Sequence, residues 1–276
     1  MSLAHVLTLI TILGSPVQAL GKNPRVISLA PSNTELMFAI GAEDLLVGRT
    51  NRCNYPSKAL EIPSVGSLFP ANYERIVGLN PDLVLMIDGD IKVKERLKSL
   101  GLKILVIHPK TVRDIATSMR MLGKAIHRTK RAEVQSRRFL ETLKPNVHTD
   151  KNRPKVLYEV WNQPLIIPGS QTFLADIIRR SGGEPIGERL AGSWPQVDIE
   201  WAMGQNPDVI LVRALDRKKH FLTSPIWKET SAVKRRMVLV LPNEDVFTRP
   251  GPRVHEAIQW LSNEVSSPQI KANVIR

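Results

Sequence analysis

One cysteine, Cys53, and six histidines, His5, His108, His127, His148, His220 and His255, are the thiol and imidazole groups with which this chain could bind metal. The histidines show no close ligand spacing, and a single thiol forms no intramolecular disulfide. No Gly-x-Gly-x-x-Gly follows the first apolar segment and no Walker sequence occurs, so the chain lacks a glycine cradle for phosphates. Ser170, in Pro168-Gly169-Ser170-Gln171, lacks the second glycine of a nucleophile elbow. These residues predict no enzyme, no resident cofactor and no metal centre.

A pair of carboxylates carries more information. The segment 73–85, Tyr-Glu-Arg-Ile-Val-Gly-Leu-Asn-Pro-Asp-Leu-Val-Leu, is echoed at 199–211 as Ile-Glu-Trp-Ala-Met-Gly-Gln-Asn-Pro-Asp-Val-Ile-Leu. In each copy a glutamate, Glu74 or Glu200, stands six positions before Asn-Pro-Asp, and an apolar strand follows. Asn-Pro-Asp is turn chemistry, because proline fixes φ while Asn and Asp bond to local backbone. Each glutamate opens a short helix, where a carboxylate complements the dipole. Matched places on two halves would also make them equivalent exposed anionic knobs.

The elements that position these residues alternate. Strands are expected at 25–29, 46–49, 83–87 and 103–107, with helices between them: one entered through the turn Ala30-Pro31-Ser32-Asn33, one from about Tyr73 to Leu79, and one running to Leu100 before Gly101. Ser32 with Glu35 reads as a capping box. The second half repeats the scheme with strands at 155–160, 209–212 and 237–241, and helices at 172–180, 199–204 and 252–265. Such alternation implies parallel strands with crossover helices. Between the halves, 111–143 has a helical pattern broken near 123–129, so two sheets joined by one helix is the simplest architecture.

The chain has 276 residues, 42% hydrophobic and 24% charged, enough for two lobes and against disorder. Its formal net charge of +13 is regional: residues 91–155 hold 18 Lys and Arg against 5 Asp and Glu, and the remainder balances at 21 against 21. Without interleaved stacking aromatics this reads as a solvated basic face and not as a nucleic-acid site. Residues 1–19 read as an export signal, with an apolar stretch, a Gly14-Ser15-Pro16 break and small residues before a cut near Ala19. With no cysteine to carry a lipid after the cut, the expected product is a soluble periplasmic monomer.

The opening Arg25-Val26-Ile27-Ser28-Leu29-Ala30-Pro31-Ser32-Asn33-Thr34-Glu35-Leu36, together with Asn72-Tyr73-Glu74-Arg75-Ile76 and Trp194-Pro195-Gln196-Val197, is highly characteristic. Through these motifs the chain resembles the periplasmic binding proteins of ABC importers, in the class that carries vitamin B12, haem and iron siderophores. The likeness is closest to the cobalamin-binding branch. It implies an α/β fold of two Rossmann-like lobes bridged by a single long helix, the class III arrangement. The corresponding divisions are a signal peptide at 1–19, an N-terminal lobe at 20–123, an interlobe helix at 124–147 and a C-terminal lobe at 148–276.

The resemblance further implies a corrinoid held in the cleft between the lobes and handed to a membrane permease dimer, onto which Glu74 and Glu200 dock. A haem or ferric-siderophore carrier is the alternative. It places Ser32, Asn33, Arg52, Cys53, Leu68, Phe69, Ile87, Trp161, Ile166, Trp194, Arg213, Asp245 and Arg249 at or near the ligand. Trp194 matches a tryptophan of the cobalamin binders, whereas Arg52 replaces a tyrosine, Leu68 and Ile87 replace tryptophans and Ile166 replaces a phenylalanine. Phe69 and Trp161, close by in sequence, could rebuild part of the wall. The arginines suit carboxylates or phosphate, since a guanidinium forks onto paired oxygens; Asp245 with Arg249 could instead be an internal ion pair. Cys53 is either a packed small residue or a metal ligand.

Overall fold

A computed structural model describes residues 23–89, 91–143 and 153–271; the expected signal peptide, its cut near Ala19 and the 144–147 end of the expected linking helix lie outside them. The first lobe runs β1 (Val26–Ser28), α1 (Pro31–Ala39), β2 (Leu46–Arg49), α2 (Tyr73–Gly78), β3 (Leu83–Met86), α3 (Ile91–Ser99) and β4 (Ile104–Val106). Two helices follow, α4 (Asp114–Ala125) and α5 (Thr129–Thr142). The second lobe contains β5 (Lys155–Tyr158), a small hairpin of β6 (Trp161–Asn162) and β7 (Leu165–Ile166), α6 (Phe173–Arg180), β8 (Glu184–Pro185), α7 (Ile199–Gly204) and β9 (Val209–Val212). It ends with α8 (Leu215–Thr223), α9 (Ser231–Lys234), β10 (Val238–Val240), α10 (Glu244–Thr248), α11 (Val254–Val265) and α12 (Pro268–Lys271).

Each lobe holds one parallel sheet, ordered β2-β1-β3-β4 in the first and β8-β5-β9-β10 in the second. The orders superpose strand for strand, so the same winding occurs twice. The sequence echo marks its most regular joint. Asn80 and Asn206 end α2 and α7 at φ +44° and +47°, the left-handed conformation that asparagine tolerates better than most residues. Two residues on, a carboxylate ties the turn to the first strand of its sheet: the Arg25 amide donates to Asp82 Oδ2 at 2.7 Å, and the Lys155 amide to Asp208 Oδ2 at 3.0 Å. The carbonyls of Leu79 and Gln205, left over at the helix ends, accept from the Arg25 and Lys155 side chains. Local turn chemistry thus docks a helix end against the amino edge of each sheet.

The lobes share apolar packing. One core cluster runs from Leu36, Met37 and Ile40 of α1 through Met119 and Leu122 of α4 to Ile177 of α6 and Leu261 of α11. The α4 and α5 helices pack against one another across a close contact at Gly123, where a Cβ would strike that of Ala132. His127, at φ +59°, lies in the reversal between them. The expected interlobe segment from 124 therefore holds the end of α4, this reversal and α5: α4 continues to Ala125, its Gly123 carbonyl accepts from the Arg128 amide at 2.7 Å, and α5 begins at Thr129. The helix pair reaches both lobes, since Asp176 of α6 accepts from the Val112 amide at 2.8 Å, and Arg128 pairs with Asp44 of the first lobe at 3.3 Å.

The capping box expected from Ser32 and Glu35 is absent. Ala30 is the N-cap of α1 and Pro31 occupies its first turn, leaving Ser32 inside the helix and Glu35 free for a distant partner.

Candidate functional site

In open parallel sheets, ligands sit beyond the carboxyl ends of the strands, where loops diverge and backbone groups are unpaired. Both sheets turn those ends toward a cavity of about 400 Å³. The first lobe lines it with Ala30, Pro31 and Ser32 after β1, Ile87 and Asp88 after β3, and Ile107 to Lys110 after β4. The second contributes Tyr158 and Val160 at the end of β5, Phe173 at the start of α6, Arg213 after β9 and Phe247 to Pro250 after β10. Ser193 and Trp194 complete the wall from a loop held by the Gly169 amide, which donates to the Ser193 carbonyl at 2.9 Å. A side chain at Gly169 would collide with the Gly192 carbonyl, so this close approach requires glycine.

A second depression, near Phe38, Glu43, Leu46 and Arg131, is bordered by the amino end of β2 and receives no strand carboxyl end. It lacks the two-lobe geometry of a cleft.

Of the residues singled out from the sequence, Ser32, Ile87, Trp194, Arg213 and Arg249 line the cavity. The others stand outside its lining. Leu68 packs against the first lobe's core, and Ile166 bridges to Gln196 beside Trp161. Phe69 and Trp161 are 60% and 53% exposed, and the Trp161 indole donates to the Gln163 carbonyl. Arg52 points into solvent. Cys53 is fully buried with its Sγ 3.1 Å from Thr50 Oγ1, the packed small residue of the two alternatives. Asn33 is fully buried, and both polar atoms of its side chain lack partners among the described residues.

Asp245 does pair with Arg249, at 2.8 Å, and the pair belongs to a larger network. Glu35, almost fully buried, accepts from Arg253 Nε at 2.9 Å and Nη2 at 2.8 Å, and from Arg249 Nη1 at 3.4 Å. Arg249 also donates to Asn54 at 2.8 Å, while the Arg253 guanidinium lies 3.8 Å from the centre of the Tyr55 ring. Carboxylate and arginines come from opposite lobes, so this is a fork-shaped ion pair spanning the molecule beside the cleft. The Glu35 hydrogen bond holds the Arg253 guanidinium above its ordinary pKa, against the opposing pull of desolvation.

Asp88, His108, Lys110, Tyr158 and Phe173 line the cavity but were not placed at the ligand from the sequence. A positional rule would have found three of them, since Asp88 and His108 follow β3 and β4 by two residues and Tyr158 ends β5. Burial pushes the Tyr158 phenol well above its usual pKa; Glu244 adds to this and Arg213 opposes it. Arg213 and Glu244 pair at 3.0 Å at an exposed position. Together these groups make an apolar cavity edged with cationic and hydrogen-bonding side chains, suited to an amphipathic guest with acceptor oxygens.

Glu74 and Glu200 are exposed in the first turns of α2 and α7, and neither has an ion-pair partner among the described residues. Because α2 and α7 end at the amino edges of their sheets, their first turns are directed back toward the cleft side. Asn72 caps α2 by accepting from the Arg75 amide at 3.0 Å, so Glu74 is not needed as the cap.

The profile of the periplasmic binding protein family matches residues 26–244. The vitamin B12-binding protein of Yersinia pseudotuberculosis is 32% identical over 270 residues, covering 96% of this chain and 93% of that protein. A crystal structure of the periplasmic vitamin B12 binding protein of Vibrio cholerae aligns with a TM-score of 0.71 at 27% identity, over 88% of this chain and 96% of that one. The periplasmic haem-binding protein of Vibrio cholerae aligns with a TM-score of 0.74 at 21% identity, over 89% and 100%, a likeness of fold.

Proposed function

Since the chain belongs to the periplasmic binding protein family, we propose that it is the solute-binding component of an ABC importer, taking up a vitamin B12-like corrinoid between its lobes. The carrying observation is the cavity at the facing carboxyl ends of two identically wound sheets, with Trp194 on its wall. Apolar walls exclude water from a macrocycle face at about 25 cal/mol per Å² buried, which leaves the polar rim to set orientation. The protein acts as a carrier and not a catalyst, in the periplasm, as a monomer. No helix among the described residues is long and apolar enough to cross a membrane. The exposed pegs Glu74 and Glu200 are the contacts offered to the importer's permease, one from each lobe.

A second reading within the same class is favoured by the charge of the rim. Lys110, Arg213 and Arg249 would suit the carboxylates of haem or of a ferric siderophore better than a neutral amide surface. Calorimetry with cyanocobalamin, cobinamide, haemin and a ferric siderophore separates the two. The proposal expects one-to-one binding of at least one corrinoid; no heat with either corrinoid overturns it.

A further inference from the structure

Tyr158 ends the strand β5 on the cavity floor, 2% exposed, and its hydroxyl has no hydrogen-bond partner among the described residues. Its polar neighbours are occupied. Glu159, next along the strand and on the opposite face, takes both bonds of the Arg217 fork at 2.7 Å. Thr172, also on the cavity wall, donates to the Gly169 carbonyl and accepts from the Ala175 amide. Arg213 is paired with Glu244. An unpaired buried hydroxyl costs the fold stability that phenylalanine would not, and the hydroxyl is beyond the reach of bulk water. Asn33 is orphaned too, but it does not line the cavity.

We infer that the Tyr158 hydroxyl, covered in the unliganded arrangement, is uncovered as neighbouring side chains part around the guest and then donates a hydrogen bond to an acceptor oxygen on a peripheral arm of the bound molecule. The inference rests on the reading of the cavity as the binding cleft, and it adds a polar requirement on the guest. A phenol keeps its proton over the physiological range, and burial raises its pKa further, so the hydroxyl is a donor. Arg213 at the adjoining strand end is offset by its partner Glu244, so the hydroxyl's donor chemistry defines the arm, which presents an acceptor oxygen of an amide or a carboxylate.

The test uses the full chain and Tyr158→Phe, which keeps the ring and removes one oxygen. Cyanocobalamin, with amide arms, and haemin, with carboxylates, are titrated by calorimetry, and the melting temperature of each unliganded protein is measured. The expected result is a variant that melts no lower than the wild type yet binds three- to tenfold more weakly whichever probe the wild type binds; the probe affected identifies the arm. Unchanged affinity overturns the inference while leaving the cleft reading intact. Weaker binding with a lowered melting temperature also overturns it, because the hydroxyl would then serve the fold. A wild type that binds neither of these probes, nor cobinamide, nor a ferric siderophore, overturns both.

Discussion

Glu35 shows how much one side chain can hold. It reaches Arg253 through two short bonds and Arg249 through a longer one, from a nearly water-free position. Removing one member of a buried pair leaves the other charge uncompensated, at a cost of about 3–5 kcal/mol. Glu35→Gln is therefore expected to lose about 3 kcal/mol in equilibrium urea unfolding, whereas Glu35→Gln combined with Arg253→Met recovers part of it. A single variant within 1 kcal/mol of wild type would show the fork to be ornamental. In sequence, Glu35 looked local because Ser32 precedes it by three residues; its true partner lies 218 positions away. Long-range ion pairs leave no periodic trace, which is why the fork was invisible while the Asp245 and Arg249 pair, four residues apart, was legible.

At the scale of the element, the Asn-Pro-Asp turns were readable because their chemistry is local. Proline fixes one dihedral, asparagine accepts a positive φ, and the aspartate reaches the nearest strand. The two copies still differ: Asn206 Oδ1 accepts from the Ser231 amide at 2.8 Å and so also anchors α9. Asn80→Gly should change stability by less than about 0.5 kcal/mol, because glycine adopts the turn freely. Asn206→Gly should cost about 1 kcal/mol through the lost bond, and Asn206→Ala about 2 kcal/mol once the strain of a left-handed alanine is added. Thermal denaturation of the three variants checks the order; equal costs at both sites would contradict it. The strands and helices that alternation and glycine stops write directly were legible within a few residues, whereas α8, α9, α10, the β6–β7 hairpin and the edge strand β8 were not read from the sequence. The aromatic wall was not. Phe69 and Trp161 are near the expected places in sequence but outside the cavity lining, and nothing in residue spacing reports where a loop side chain points.

Across the whole molecule, the proposed function divides between a cleft and two pegs. Exposed surface ion pairs contribute only about 0–1 kcal/mol, while charge pairs desolvated in an interface can couple by about 1.5–7 kcal/mol. On the proposed reading, Glu74 and Glu200 have little to contribute to folding and much to contribute to docking. Glu74→Ala with Glu200→Ala is expected to leave ligand affinity within twofold of wild type and to abolish stimulation of ATP hydrolysis in a reconstituted importer. An equal loss of ligand affinity would refute the separation of roles. The basic helices α3, α4 and α5 are a different matter: of the described basic side chains within 91–155, only His108 and Lys110 line the cavity.

The central claim is that a corrinoid lies between the lobes against Trp194. The most direct test is a calorimetric titration of cyanocobalamin into the wild-type protein and into Trp194→Ala. Losing an aromatic wall of this size removes roughly 2 kcal/mol of contact, so the account predicts saturable one-to-one binding that weakens at least tenfold in the variant. Binding of equal strength in both proteins would contradict it.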